Sequence, residues 1–343
     1  MVVAWHVVTV PPLLGAEVPD SLKTPLVALY PYRIPALLFL SGMMLPRSLA
    51  KGPRRYAMGK VRNLLWPFVL WTLIMAMIWP DPGRLLDAQT WWRGSFHLWF
   101  LGVLGASYLL GPLTRFIPAW LWPVPMVLLS QVAPHMGLVR ICWFGAFFFA
   151  GAAAARWVAG WQRTPAALPL LLGAVAVGYG ITAALTPGLY QIRHVPSFLI
   201  SLVGLMALVW AAPRLPRLPW LERVGANSIV IYLAHFPVIA LGYRALQAAG
   251  LESWWVLGPV LLVIGVGVPV LMMRWSGTWL FRMPSRPLSA SPCSSPEGPS
   301  SSAAGPGPED PPGCPPRPSA RPPSCWAARA AAHPASSGGR AGS

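Results

Sequence analysis

The chain has 343 residues, 55% of them hydrophobic and only 10% charged, with a mean hydropathy of +0.54. Ordinary domains carry about 25% charged residues, so a soluble protein is excluded and an integral membrane protein is expected. The net charge of +17 does not point to nucleic acid, because the cations lie in short segments between apolar runs, a topology signal and not a groove for a polyanion.

Residues 1–10, MVVAWHVVTV, form an apolar run around His6. An ionisable side chain inside a membrane helix is a functional-site hypothesis; a histidine satisfied by a carbonyl or water is the alternative. A span needs about 20 apolar residues, and this run stops after about fifteen, at Pro11, Pro12, Glu17 and Asp20. The first helix is therefore expected to lack part of its beginning. It has neither the basic flank nor the cleavage site of a secretory signal. Further spans are predicted over 26–45, 64–80, 96–113, 116–133, 141–155, 166–185, 196–212, 226–246 and 254–273. The fold class is thus all-α, a polytopic bundle of about ten transmembrane helices.

Orientation follows from the connecting segments. Residues 46–63 hold Arg47, Lys51, Arg54, Arg55, Lys60 and Arg62 without an acid, which makes this loop cytoplasmic. Alternation then puts 16–25, 81–95, 134–140, 186–195 and 247–253 outside, with Glu17, Asp20, Asp81, Asp87 and Glu252. Arg115, Arg156, Arg163, Arg214, Arg217 and Arg223 fall inside, and both termini are cytoplasmic. From Pro284 the composition turns to Pro, Ser, Gly and Ala, too poor in apolar surface to offset the entropy of ordering. The expected organisation is a membrane domain over 1–283 and a disordered tail over 284–343. Cys142 lies in an apolar run, and Cys293, Cys314 and Cys325 lie in the tail without metal-ligand spacing.

Four stretches beside His6 carry polar groups that a membrane helix does not need. In RIPALLFLSGMML, 33–45, Ser41 and Gly42 are accounted for by helix packing, whereas Arg33 must snorkel or find an acceptor. The basic loop leading into LLWPF, 64–68, either sets topology or clamps phosphates through Arg54, Arg55, Lys60 and Arg62. No Walker-type loop and no dinucleotide glycine fingerprint occurs, so nucleotide hydrolysis and hydride transfer have no support. FHLWFL, 96–101, with Trp99, is an interfacial belt or a site wall. In GANSIVIYLAHFPV, 225–238, Asn227 and Ser228 suit a helix start, Tyr232 and His235 lie close to one face, and Pro237 invites a kink. A polar face on an apolar helix points into the bundle.

In order, AWHVV, LLFLSG, KVRNLLWPF, HLWFL and ANSIVIYLAHFPV resemble the motif series of the acyltransferase-3 family of membrane O-acyltransferases. RIPALLFLSG and RICWFGAFFFAG, 140–151, are most similar to its fucose O-acetylase-like branch. The resemblance implies a ten-helix bundle in the plasma membrane. It would move an acyl group, acetyl by expectation, from acyl-CoA to a hydroxyl of a sugar, glycan or glycolipid. It implies His6 as the proton acceptor and Arg54, Arg55, Lys60 and Arg62 as donor-binding cations. Arg33, Ser41, Trp99, Asn227, Tyr232 and His235 would line the site or position the acceptor. No cofactor is bound permanently, because acetyl-CoA is a substrate; the other partners are the glycan acceptor and the lipid bilayer. The chain departs from the family in the spacing of its cations and in lacking the acidic-arginine opening before the first-helix histidine. The competing reading is a transporter or flippase of a polysaccharide or lipid-linked product, with His6 and His235 relaying protons, but no internal repeat and no matched pair of broken helices supports it. A scaffold without chemistry leaves the histidines and Arg33 unexplained.

Overall fold

In hydrocarbon every backbone polar group must be satisfied internally, and a helix does this within one segment. The structure, a computed structural model, describes residues 1–79, 86–87, 91 and 96–283, which form an all-α membrane bundle. Asp81 and the tail predicted from residue 284 lie outside the described residues.

The first run folds as α1 (Val2–Thr9), and Pro11 and Pro12 open a 3-10 stretch, Pro11–Leu14. Helices α2 (Asp20–Val27) and α3 (Tyr30–Met43) meet at a 45° bend, and α4 (Leu45–Leu49) follows. The basic segment, expected as a loop, is largely helical. Gly52 turns the chain with φ 85°, and α5 (Pro53–Lys60) begins with a proline, whose φ is already helical. The chain then passes through a π-helical turn, Val61–Leu65, into α6 (Trp66–Ile78). Beyond it come α7 (Trp99–Leu110), α8 (Pro123–Val132), α9 (Met136–Ala154) and α10 (Ala167–Leu185). The last four are α11 (Val195–Ala211), α12 (Pro219–Ala226), α13 (Ser228–Ala248) and α14 (Trp254–Met272).

Among the described residues, 7 helices are long and apolar enough to cross a membrane, or 8 if α2 and α3 count as one bent span. By that measure seven or eight spans are found where ten are expected. Residues 1–15 and 116–133 are apolar and helical but short, as Val2–Leu14 and Ala119–Val132. Proline is the cause in both. Pro11 and Pro12 end the first, and Pro118, Pro123 and Pro125 divide the other into a 3-10 turn and a helix of 10 residues. The segment expected over 141–155 is longer than predicted. Arg140 does not end the helix, because its guanidinium lies 4.8 Å from the Trp99 ring centroid and α9 starts already at Met136.

Helix α9 is the axis of the bundle, with Trp143, Phe147, Phe148 and Phe149 fully buried. It crosses α3 backbone to backbone. A methyl group at Gly42 would collide with the carbonyl of Phe148, and one at Gly151 with that of Phe39. On the other flank α1 rests against both α13 and α14, which carries His6 toward His235.

Candidate functional site

Three histidines from three elements meet inside the bundle. His6 comes from α1, His235 from α13, and His97 from the 3-10 turn Phe96–Leu98 ahead of α7. Ring centroids are 5.0 Å apart for His6 and His235, 5.3 Å for His97 and His235, and 6.4 Å for His6 and His97. Phe236 closes the group, stacked on His97 at 4.8 Å and edge-on to His6 at 5.2 Å. Tyr232, one turn before Phe236 on α13, donates its hydroxyl to the His97 carbonyl.

The hydrogen bonds fix which ring nitrogens are left for chemistry. Thr9 Oγ1 donates its only proton to the Trp5 carbonyl at 2.9 Å. Its 3.3 Å contact with His6 Nδ1 therefore has the imidazole as donor, which leaves the lone pair on Nε2. His235 Nδ1 donates to the Ile231 carbonyl at 2.8 Å, and its Nε2 is buried without a partner. Neither ring nitrogen of His97 makes a hydrogen bond of good geometry among the described residues, the backbone at Leu233 being the nearest interaction. Unpartnered buried nitrogens on facing rings are costly in a mere packing cluster and expected where a substrate supplies the missing bonds.

Beside the histidines lies a cavity of about 140 Å³ lined by His6, Trp99, Tyr232 and Arg33, and by Tyr30, Tyr190 and Arg140. Arg33 is 7% exposed, its guanidinium 4.6 Å from the Trp5 ring centroid and 4.9 Å from that of Tyr30. Tyr190 reaches Tyr30, centroids 5.4 Å apart, from the segment between α10 and α11. That segment is tied down by Arg193, which donates to the carbonyls of Ser130 at 2.7 Å and Ala133 at 2.5 Å. Arg193 adopts φ 81° to do so, a left-handed conformation costing about 1–3 kcal/mol.

A larger cavity of about 670 Å³ runs between the α5–α6 segment and α7, with Lys60 and Arg115 among apolar walls. Lys60 Nζ sits 3.3 Å from the Tyr108 ring centroid and 5.4 Å from that of Tyr56. The phenols are engaged elsewhere, Tyr56 donating to the Tyr108 carbonyl at 2.5 Å and Tyr108 to the Ser41 carbonyl at 3.2 Å.

Of the residues singled out in the sequence, His6, His235, Arg33, Trp99 and Tyr232 thus come together. Ser41 does not join them. It lies about 12 Å along α3 from Arg33 by helix rise and meets the larger cavity's wall through its carbonyl. Asn227 lies outside both linings: its amide donates to the Arg223 carbonyl at 3.0 Å, closing α12, and it makes no side-chain cap on α13. Of the basic quartet, Lys60 lines the larger cavity, Arg54 and Arg55 are exposed on α5, and Arg62 Nε donates to the Met283 carbonyl at 3.1 Å. His97, Tyr30, Tyr190 and Arg140 were missed. For His97 the signal was present as a third histidine in an apolar stretch.

No curated protein and no solved structure matches the chain. A family model described as an acyltransferase domain, that of the acyltransferase-3 group, matches residues 1–274. This range takes in the histidine cluster, both cavities and every helix through α14, and acyl transfer is chemistry that a lone-pair imidazole beside a cavity serves. The chain is an acyltransferase of the acyltransferase-3 family.

Proposed function

We propose that the protein moves an acyl group, acetyl in the first instance, from acyl-CoA to a hydroxyl of a sugar or glycan, with His6 as general base. The observation that carries this reading is the Thr9 contact, which leaves the His6 lone pair on Nε2. Nε2 takes the hydroxyl proton as the oxygen attacks the thioester carbonyl. The carbon–sulfur bond then breaks, and the proton passes to the departing thiolate, giving an ester and free CoA. His97, which lines the same cavity, positions the acceptor, and His235 supports both rings from outside that lining. The family membership favours transfer over the transport alternative.

The donor enters by the larger cavity. Lys60 and Arg115, with Arg54 and Arg55 outside, suit the phosphates of CoA. The cavity follows the α7 segment from Arg115 to Leu101, about 20 Å by helix rise, toward Phe100 on the histidine cavity's wall. This basic end and the C-terminal end of α14 face the cytoplasm of the plasma membrane, and residues 1–283 make up the catalytic unit. The likeness of RIPALLFLSG to the fucose O-acetylase branch supports a sugar acceptor.

The test is transfer of labelled acetyl from acetyl-CoA to a membrane glycan fraction. A general base contributes about 10²–10⁴-fold, so His6→Ala and His6→Gln should both lose about that much while expression stays normal. Glutamine keeps hydrogen bonding without basicity, and an active His6→Gln enzyme would overturn the assignment.

A further inference from the structure

Arg33 is a buried cation for which the described residues provide no anion. It is 7% exposed and makes neither a hydrogen bond nor an ion pair with any described residue, its contacts being the rings of Trp5 and Tyr30. Tyr190 does not neutralise it. Burial pushes that phenol above its usual range, so it stays uncharged. Removing a guanidinium from water without a carboxylate is strongly unfavourable, and such a residue inside a membrane protein faces a substrate path or a partner. Packing alone does not require it, since an apolar side chain of similar volume would fill the space without that cost.

The surroundings narrow the ligand. Rings cover the guanidinium at Trp5 and Tyr30, leaving its planar edge of N–H donors for the cavity it shares with His6. Such an edge matches a carboxylate bidentately. Arg140 adds a second cation to the lining, held over Trp99. A volume of about 140 Å³ is small against whole ligand sites of roughly 300–1,000 Å³ and suits one sugar unit, with Trp5, Tyr30, Tyr190 and Trp99 offering apolar ring surface.

We propose that the acceptor is an acidic sugar, its carboxylate held by Arg33 so that a neighbouring hydroxyl faces His6. The inference rests on the transferase reading and adds a substrate class to it. It also gives Arg33 a role separate from the reacting atoms, because the carboxylate is neither formed nor broken in the transfer.

The test uses the full chain purified in detergent, without donor, and reads thermal stabilisation and direct binding. The probes are glucuronate, galacturonate and mannuronate, each against its parent neutral hexose, with glucose 6-phosphate as a second anion. At least one uronate should bind about 10- to 100-fold more tightly than its neutral parent, the range for a charge-assisted pair. Arg33→Lys should retain part of that preference and Arg33→Gln none, with both variants eluting and melting as folded protein. Equal binding of acid and neutral sugars, a preference kept in Arg33→Gln, tighter binding of glucose 6-phosphate than of every uronate, or no binding of any acid would each overturn the proposal. Because no donor is present, that failure leaves acyl transfer standing, and a failure of transfer leaves acid binding standing.

Discussion

In the proposed reaction His6 owes its free Nε2 lone pair to Thr9, three residues on, more than to any charged neighbour. The hydroxyl spends its proton on the Trp5 carbonyl and so obliges the imidazole to donate from Nδ1. Thr9 is a positioning residue, and Thr9→Val removes the acceptor while keeping the shape. A neutral hydrogen bond is worth about 0.5–1.5 kcal/mol, so kcat should fall about 2- to 10-fold. The KM for acyl-CoA and the melting temperature should stay unchanged, and Thr9→Ser should restore the rate. A Thr9→Val enzyme with full kcat would show that the tautomer is set some other way. At this scale the sequence was legible in residue type and silent on pairing. Two histidines and an arginine in apolar runs announced a polar interior, and the structure seats them together. His97 escaped notice because FHLWFL reads as an aromatic belt, and nothing local says that its ring turns inward onto Phe236. Asn227 does stand at a helix start, immediately before α13, but its amide is used within the preceding turn and lines neither cavity.

At the scale of elements, apolar length was the reliable signal and proline the one that was underweighted. The spans predicted over 166–185, 196–212 and 254–273 coincide closely with α10, α11 and α14, because nothing within them interrupts the pattern seriously enough to end a helix. The basic segment reads as a loop because charge marks topology, but charge does not forbid helix, and Arg, Lys and Met are good helix formers. The crossing of α3 and α9 was only half visible. Gly42 was noted as a packing residue, while its contact with Phe148 depends on two helices far apart in sequence. Gly42→Ala and Gly151→Ala should each separate that crossing, at a cost of about 1–3 kcal/mol or more, read as reduced folded yield and a lower melting temperature in detergent. Gly178→Ala is the control on α10. It meets no atom within 4 Å and removes a flexible residue, so it should be neutral or stabilising by up to about 1 kcal/mol. Equal behaviour of Gly42→Ala and Gly178→Ala would mean that α3 and α9 are not in backbone contact.

Across the whole molecule the connecting segments sort into two sets, and the sorting agrees with the distribution of charge. At one end Arg62 exchanges hydrogen bonds with Met283, Trp66 Nε1 donates to the Trp279 carbonyl at 2.7 Å, and Arg115 reaches the Leu49 carbonyl at 3.4 Å. Arg214 likewise donates to the Gln162 carbonyl at 2.8 Å. All of these belong to segments assigned to the cytoplasm from their arginines and lysines. At the other end Arg193 bonds the carbonyls of Ser130 and Ala133, and Tyr190 meets Tyr30, joining segments assigned to the outside or bordering them. Contacts that pair inner segments with inner ones and outer with outer do not follow from composition, so packing groups the segments as charge does, and the choice of which group faces the cytoplasm rests on charge. Reporter fusions at Leu49 and Arg282 should therefore both read cytoplasm, and one at Asp87 should read outside. Replacing any one of Arg54, Arg55 or Lys60 by alanine should leave all three signals unchanged, because the remaining cations still outnumber the acids there. A cytoplasmic signal at Asp87 would reverse the orientation and close the basic cavity to a cytosolic donor. Opposite signals at Leu49 and Arg282 would contradict the packing itself, since the Arg62–Met283 pair and the Arg115–Leu49 bond hold those segments at one end of the bundle.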